Sequence, residues 1–125
     1  MLEYKEVKNM GIKMNNNNFS QKLFNSLQEK IEIAQKENRP IKEYVQKQIE
    51  ILQESHDEFI LQAKSQGYEM NNPKVGEIEV RQYSAMKQLA QKIGLPVEKY
   101  DKMIYDVQVR IFGEENAKRF FGEQK

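Results

Sequence analysis

Residues 40–67 decide the fold, and they read PIKEYVQKQIEILQESHDEFILQAKSQG. Apolar side chains recur every three or four residues along this stretch, a spacing that places them on one face of an α-helix. The main stripe consists of Ile41, Val45, Gln48, Leu52, Phe59 and Ala63, and it is widened by Ile49, Ile51, Ile60 and Leu61. We expect Pro40 in the first turn, where its missing N–H costs nothing. Gly67 suits the left-handed position after the last turn. The pattern predicts one long helix over 41–66.

The same spacing predicts helices on both sides of this one. The helix over 19–38 ends before Pro40, because proline disfavours α geometry in the residue that precedes it. Its stripe consists of Phe19, Leu23, Leu27, Ile31 and Ala34. Further helices are predicted over 75–93, 96–112 and 114–121, separated by Asn71, Asn72, Pro73, Gly94, Pro96 and Gly113. Short connections favour antiparallel neighbours. The predicted fold class is all-α, with two successive antiparallel helical hairpins and a short C-terminal helix.

Residues 1–18 depart from this pattern. Apolar residues alternate with charged ones up to Val7, and then Gly11 and the run of asparagines over 15–18 interrupt any regular spacing. Chain ends of this kind are more often mobile than ordered, although a structured arm is the alternative. The predicted organisation is a flexible N-terminal arm over 1–18 followed by a single helical domain over 19–125.

The composition is polar and nearly neutral. Of 125 residues, 38% are hydrophobic and 31% are charged, the net charge is +1, and six tyrosines and six phenylalanines are available for a core. Since no global basic field exists, any nucleic-acid surface must be local. The absence of cysteine excludes disulfide scaffolds, thiolate metal sites and cysteine nucleophiles. No apolar run approaches the roughly 18 residues of a membrane span, and no signal peptide is apparent. The expected location is the cytoplasm of a bacterial host cell.

The one histidine, His56, lies among Glu54, Asp57 and Glu58. The two glutamates share a helix face at i,i+4 spacing, and His56 is offset from both. We therefore interpret the group as a solvated helix face rather than a metal site. No Gly-rich phosphate loop or nucleophile elbow occurs elsewhere. The prediction is a protein without enzymatic activity, cofactor or metal.

Residues 89–103 have the spacing of a helix-turn-helix. Ala90 lets two helices approach, Gly94 makes the turn, and Tyr100 packs back into the corner. A plain helical hairpin accounts for the same residues. Acidic residues in the second helix, such as Asp101, argue against DNA reading because phosphates repel them.

Two sets of residues are candidates for binding. The hypothetical nucleic-acid-binding residues are Lys74, Arg81, Lys87, Lys92, Lys99 and Lys102. The alternative for this set is an ordinary mixed-charge surface. The hypothetical interface residues are Phe112, Phe120 and Phe121, which we expect to dock on the core or on a second subunit. The wide stripe on the helix over 41–66 also favours an exposed apolar strip, and such strips mark interfaces. A homo-oligomer is expected.

From Asn72 the chain has Asn-Pro, then a helix with Arg81 and Ala85, then Leu89-Ala90 and Ile93-Gly94-Leu95-Pro96. Residues 67–100 thus resemble the C-terminal part of one family of phage terminase small subunits. In that family an Asn-Pro precedes a helix that ends in a Leu-Gly-Leu-Thr/Ser-Pro turn. This chain lacks the Thr or Ser before the proline and the Ser-Arg after it, and it continues with another helix. The resemblance implies an oligomeric, non-enzymatic adaptor that recognises phage DNA and presents it to a packaging motor.

The leading functional prediction is a non-catalytic phage or mobile-element protein that binds nucleic acid, as an oligomeric DNA-packaging adaptor. The pattern over 67–100 and the local basic residues support it. The alternative is a protein-binding inhibitor or regulator of a bacterial host machine. Near-neutral charge, polar helical hairpins and the lack of any base-reading code support this alternative.

Overall fold

The computed structural model describes residues 17–120, which form five α-helices and no strand. The helices are α1 (Asn17–Lys36), α2 (Lys42–Ser65), α3 (Pro73–Lys92), α4 (Glu98–Phe112) and α5 (Glu114–Phe120). Each helix packs against the one that follows it in the chain. The all-α prediction is therefore confirmed. Residues 1–16 of the predicted arm, and Phe121, lie outside the described residues. Asn17 and Asn18, which were assigned to the arm, belong to α1, and asparagine is well tolerated at a helix start.

The prolines are placed differently from the prediction. Pro40 and Pro96 do not open helices, because α2 begins at Lys42 and α4 begins at Glu98. Pro73 does open one, at the first position of α3. The difference lies in the preceding residue. The Asn72 side chain accepts a hydrogen bond from the Lys74 backbone N–H at 2.9 Å and so caps α3. Arginine and leucine, which precede the other two prolines, are poor helix caps.

The ends of α1, α2 and α3 share one backbone arrangement. A residue with positive φ follows each helix: Asn38 at 57°, Gly67 at 87° and Gly94 at 73°. The next backbone N–H donates back to a carbonyl in the last turn, as Arg39 does to Ala34 at 2.8 Å. This left-handed closure satisfies the free carbonyls. α1 ends at Lys36, two residues before the predicted end, because Asn38 readily adopts the left-handed conformation.

The core lies along the faces between successive helices. One buried cluster between α2 and α3 contains Phe59, Ala63, Val75 and Ile78. A second, reaching α4, contains Leu52, Tyr83, Met86, Ala90, Tyr100 and Val107. Gly76 is buried where α4 approaches α3, and a Cβ there would overlap the end of the Ile111 side chain. A small residue at this position therefore sets the spacing of α3 and α4.

Two predicted stripes are only partly buried. In α1, Leu27 and Ile31 are buried, whereas Phe19 and Leu23 are 69% and 43% exposed. In α2, Leu61 is 68% exposed although Phe59 and Ala63 in the same stripe are fully buried. These side chains therefore form surface rather than core. Within residues 17–120, no helix has the length and apolarity needed to cross a bilayer.

Candidate functional site

A buried carboxylate joins three helices. Glu79 of α3 is 3% exposed and accepts a hydrogen bond from Arg110 of α4 through Oε1. Its other oxygen, Oε2, lies 3.0 Å from Nε2 of His56 on α2. An unpaired buried charge is costly, so Glu79 is stable here because both oxygens have a partner. These two contacts fix the positions of α2 and α4 relative to α3.

The interpretation of His56 as part of a solvated face is wrong. His56 is 7% exposed, and its ring lies 4.6 Å from the Tyr83 ring, centroid to centroid. Asp57, which is exposed, approaches the other ring nitrogen at 3.3 Å. His56 follows Leu52 by four residues and precedes Phe59 by three, so it occupies the missing position of the α2 stripe. The spacing of the apolar residues in the sequence therefore already indicated that His56 faces the core.

Tyr83 remains a neutral phenol over the physiological range. The pKa of Tyr83 is raised from 10.0 to about 12, chiefly by burial and then by the nearby Glu79 and Asp57 carboxylates, whereas Arg110 lowers it. A phenol with so high a pKa is a poor proton-transfer group near neutral pH. Across residues 17–120, no three His, Asp or Glu side chains are grouped to hold a metal ion. We interpret the cluster as an element of stability.

Two glutamines are also buried in the core. Gln48 donates through Nε2 to the Phe24 carbonyl at 3.4 Å and to Gln28 Oε1 at 3.2 Å. Gln82 is 1% exposed. Neither Gln48 Oε1 nor Gln82 Oε1 has a hydrogen-bond partner within the described part of the chain. A buried acceptor left in this state costs roughly 1–3 kcal/mol. The burial of Gln48 agrees with its place in the stripe predicted from the sequence.

Three of the six predicted cationic residues contact other side chains in the structure. Lys87 pairs with Asp101 at 2.6 Å, and Arg81 pairs with Glu77 at 3.0 Å. Lys99 lies over the ring of its neighbour in α4, Tyr100, at 5.0 Å from the centroid. The remaining three, Lys74, Lys92 and Lys102, are exposed.

The helical period nevertheless aligns three cations on α3. Lys74, Arg81 and Lys92 are separated by seven and eleven residues. These spacings place all three side chains at nearly the same angle around the helix axis. All three are exposed. Glu77 beside them neutralises part of this charge through its pair with Arg81.

Residues 89–103 comprise the end of α3, the turn at Gly94 and the beginning of α4, and the first turn of α4 is acidic. α4 carries Glu98 and Asp101 in its first turn, where they stabilise the helix dipole. In a helix-turn-helix that reads DNA, this end enters the major groove, where the flanking phosphates would repel these carboxylates. The ion pair between Lys87 and Asp101 further ties the two helices together.

The exposed apolar side chains are concentrated on α1. Phe19, Leu23 and Ile33 are 69%, 43% and 51% exposed. They lie along one line of the helix with two exposed residues between them, and we call this line the α1 outer stripe: Phe19, Leu23, Ser26, Lys30 and Ile33. Of the predicted interface residues, Phe112 is 51% exposed, whereas the Phe120 side chain and Phe121 lie outside the described residues.

No family model, curated protein or solved structure matches the chain. The resemblance of residues 67–100 to terminase small subunits therefore stays a prediction. A proposal for the function therefore rests on the exposure and spacing of side chains in the structure.

Proposed function

We propose that the chain is a non-catalytic helical protein that binds a protein partner through the α1 outer stripe. The single observation that carries the proposal is the exposure of Phe19, Leu23 and Ile33 on one line of one helix. Protein binding is the alternative that the sequence offers beside nucleic-acid binding, and an inhibitor or regulator of a bacterial host machine is one form of it.

Single exposed apolar residues are common on protein surfaces and carry no meaning alone. The α1 outer stripe differs because its members repeat at helical spacing over most of α1. Amphipathic helices bind partners through such anchors at i, i+4 and i+7 positions. The neighbouring line of α1 is already buried, with Leu27 and Ile31 at 4% and 0% exposure. α1 is thus apolar toward the core and apolar toward an outer partner.

Nucleic-acid binding is the second candidate, and the alignment of Lys74, Arg81 and Lys92 on α3 supports it. A phage or mobile-element adaptor would use this face to bind phosphates. The other proposed cations, Lys87, Lys99 and Lys102, would contribute less, because Lys87 and Lys99 already contact other side chains. Phosphate contacts alone would give binding without sequence preference and with strong salt dependence.

The protein-binding proposal is tested with Phe19→Ser/Leu23→Ser beside the control Leu61→Ser, which removes an equally exposed apolar side chain from α2. We expect the wild type and the control to retain a stoichiometric protein partner, whether a bacterial protein or a second copy, and the double variant to lose it. Circular dichroism verifies the helices of each variant. Retention of the same partner by the double variant would exclude the α1 outer stripe as the binding surface.

The nucleic-acid candidate is tested by fluorescence anisotropy with duplex DNA over a salt series. Binding that weakens for Lys74→Ala/Lys92→Ala, and not for Lys64→Ala on α2, supports the α3 face. The absence of any anisotropy change at low salt removes this candidate.

A further inference from the structure

The α1 outer stripe is symmetric about Ser26. Leu23 lies three residues before Ser26, and Lys30 lies four residues after it. Phe19 and Ile33 lie seven residues before and seven residues after Ser26. Successive members are spaced four, three, four and three residues apart, which is the spacing of a helix–helix seam. Ser26 is small and exposed, so a second helix can approach closely at the centre.

Two charged residues run along the edge of this stripe. Lys22 and Glu29 are exposed and seven residues apart, which places them on the same side of α1. Within residues 17–120, neither of them forms an ion pair. Their charges are opposite and lie on either side of Ser26. A partner helix that presents the same edge in the reverse direction would place a negative charge near Lys22 and a positive charge near Glu29.

We propose that the α1 outer stripe binds α1 of a second copy of this chain, antiparallel, with the two-fold axis beside Ser26. This inference rests on the proposed function and names its partner. The antiparallel arrangement brings Lys22 of each copy near Glu29 of the other, twice by symmetry. Parallel pairing in register instead places Lys30 of one copy against Lys30 of the other within the seam, where their like charges repel.

The apolar residues fit the same arrangement. Phe19 of one copy lies toward Ile33 of the other at both ends of the seam. The aliphatic part of Lys30 covers Leu23 of the other copy while its ammonium group stays in water. The seam involves one helix of 20 residues per copy, which is small compared with stable dimer interfaces. The dimer is therefore expected to be reversible, with a dissociation constant in the micromolar range.

Single-cysteine variants test where the axis lies. The chain has no cysteine of its own, so Ser26→Cys carries one thiol. A disulfide requires the two Cα atoms to lie within about 7 Å, which an axis beside Ser26 provides. Under a mild thiol oxidant we expect a covalent dimer of twice the 14.9 kDa chain mass. The control Glu32→Cys places an exposed thiol on the other side of α1 and should remain monomeric. Equal cross-linking of both variants, or of neither, overturns the proposal.

Charge exchange tests the orientation, with sedimentation equilibrium as the measurement. Lys22→Glu and Glu29→Lys each replace an attraction by a repulsion and should weaken dimerisation roughly fivefold. The double variant Lys22→Glu/Glu29→Lys should restore the wild-type dissociation constant. Lys30→Leu should tighten the dimer, since it replaces a charge in the seam by an apolar side chain. Failure of the double variant to restore dimerisation overturns the antiparallel arrangement.

The oligomeric state of the wild type separates this inference from the proposed function. A protein that stays monomeric at high concentration overturns the inference. If such a monomer binds a foreign protein that Phe19→Ser/Leu23→Ser loses, the proposed function stands. If it binds no partner at all, both fail.

Discussion

Glu79 and Arg110 are 31 residues apart in the chain and form a hydrogen-bonded ion pair that joins α3 to α4. The Glu79 side chain is almost completely buried, whereas the Arg110 side chain is 35% exposed. This asymmetry has a consequence. Removal of Glu79 leaves an arginine that can turn into water, but removal of Arg110 leaves a buried carboxylate with His56 as its remaining partner.

Substitution of Glu79 should therefore reveal the strength of this network. We expect Glu79→Ala to lower the free energy of unfolding by about 3 kcal/mol, at the lower end of the range for broken buried pairs because Arg110 reaches solvent. Urea denaturation measures the change. The matched control is Glu77→Ala, two residues earlier on α3, whose pair with Arg81 is exposed. It should cost at most about 0.5 kcal/mol. Equal losses for the two variants would contradict the role assigned to Glu79.

Gly76 should tolerate alanine poorly, although alanine usually stabilises a helix interior by up to about 1 kcal/mol relative to glycine. A Cβ at this position overlaps Ile111 Cδ1 and lies 3.2 Å from Val107 Cγ1. We expect Gly76→Ala to destabilise the protein by about 1 kcal/mol, since the Ile111 side chain must rotate away. Ile111→Val removes the overlapping methyl group. In a double-mutant cycle, the paired variant should recover most of the loss, and additive effects would contradict the close contact.

Stability should decrease at alkaline pH through Tyr83. Its pKa is raised from 10.0 to about 12 in the folded protein, so the folded state keeps a proton that the unfolded state releases. The unfolded state then binds fewer protons, and the free energy of unfolding falls as the pH rises from about 10 to about 12. Tyr83→Phe removes this titration. Urea denaturation at several pH values should show a shallower alkaline loss for the variant, and parallel curves would contradict the prediction.

Gln82 offers a stabilising substitution. Its Oε1 is buried and has no partner among residues 17–120, and methionine has a similar volume without a polar group. We expect Gln82→Met to raise the free energy of unfolding by about 1 kcal/mol. Gln88→Met, at an exposed position of the same helix, should change it by no more than about 0.5 kcal/mol. A destabilised Gln82→Met would contradict the cost assigned to the unpaired oxygen.

Much of the fold could be predicted because helical spacing and the glycines are local signals. Gly67 and Gly94 end helices as expected, since both adopt positive φ. The starts at Pro40 and Pro96 were misplaced because proline is compatible with both the first helical turn and the residue before the cap. The preceding side chain distinguishes these two cases, and only Asn72 provides a cap.

The buried network was harder to predict than the helices. His56 and Glu79 both occupy stripe positions, but a charged residue at a core position is recognisable only when its partners are known. Glu79 obtains these partners from two other helices, and their alignment is a tertiary property. The exposure of Phe19 has a similar origin. α1 carries two neighbouring lines of apolar residues, and its packing against α2 buries the line with Leu27 and Ile31 while Phe19 stays exposed.

The successive packing of each helix on its chain neighbour has a consequence for how the protein folds. Contacts between neighbouring helices close short loops, which costs little chain entropy and favours rapid folding. α1 and α5 each pack mainly on one neighbour, so either can detach without breaking the rest. The network around Glu79 joins the three central helices, and these should therefore exchange their amide hydrogens last. The helix proposed to bind a second copy is thus among the first to open in the free protein and would gain protection on association.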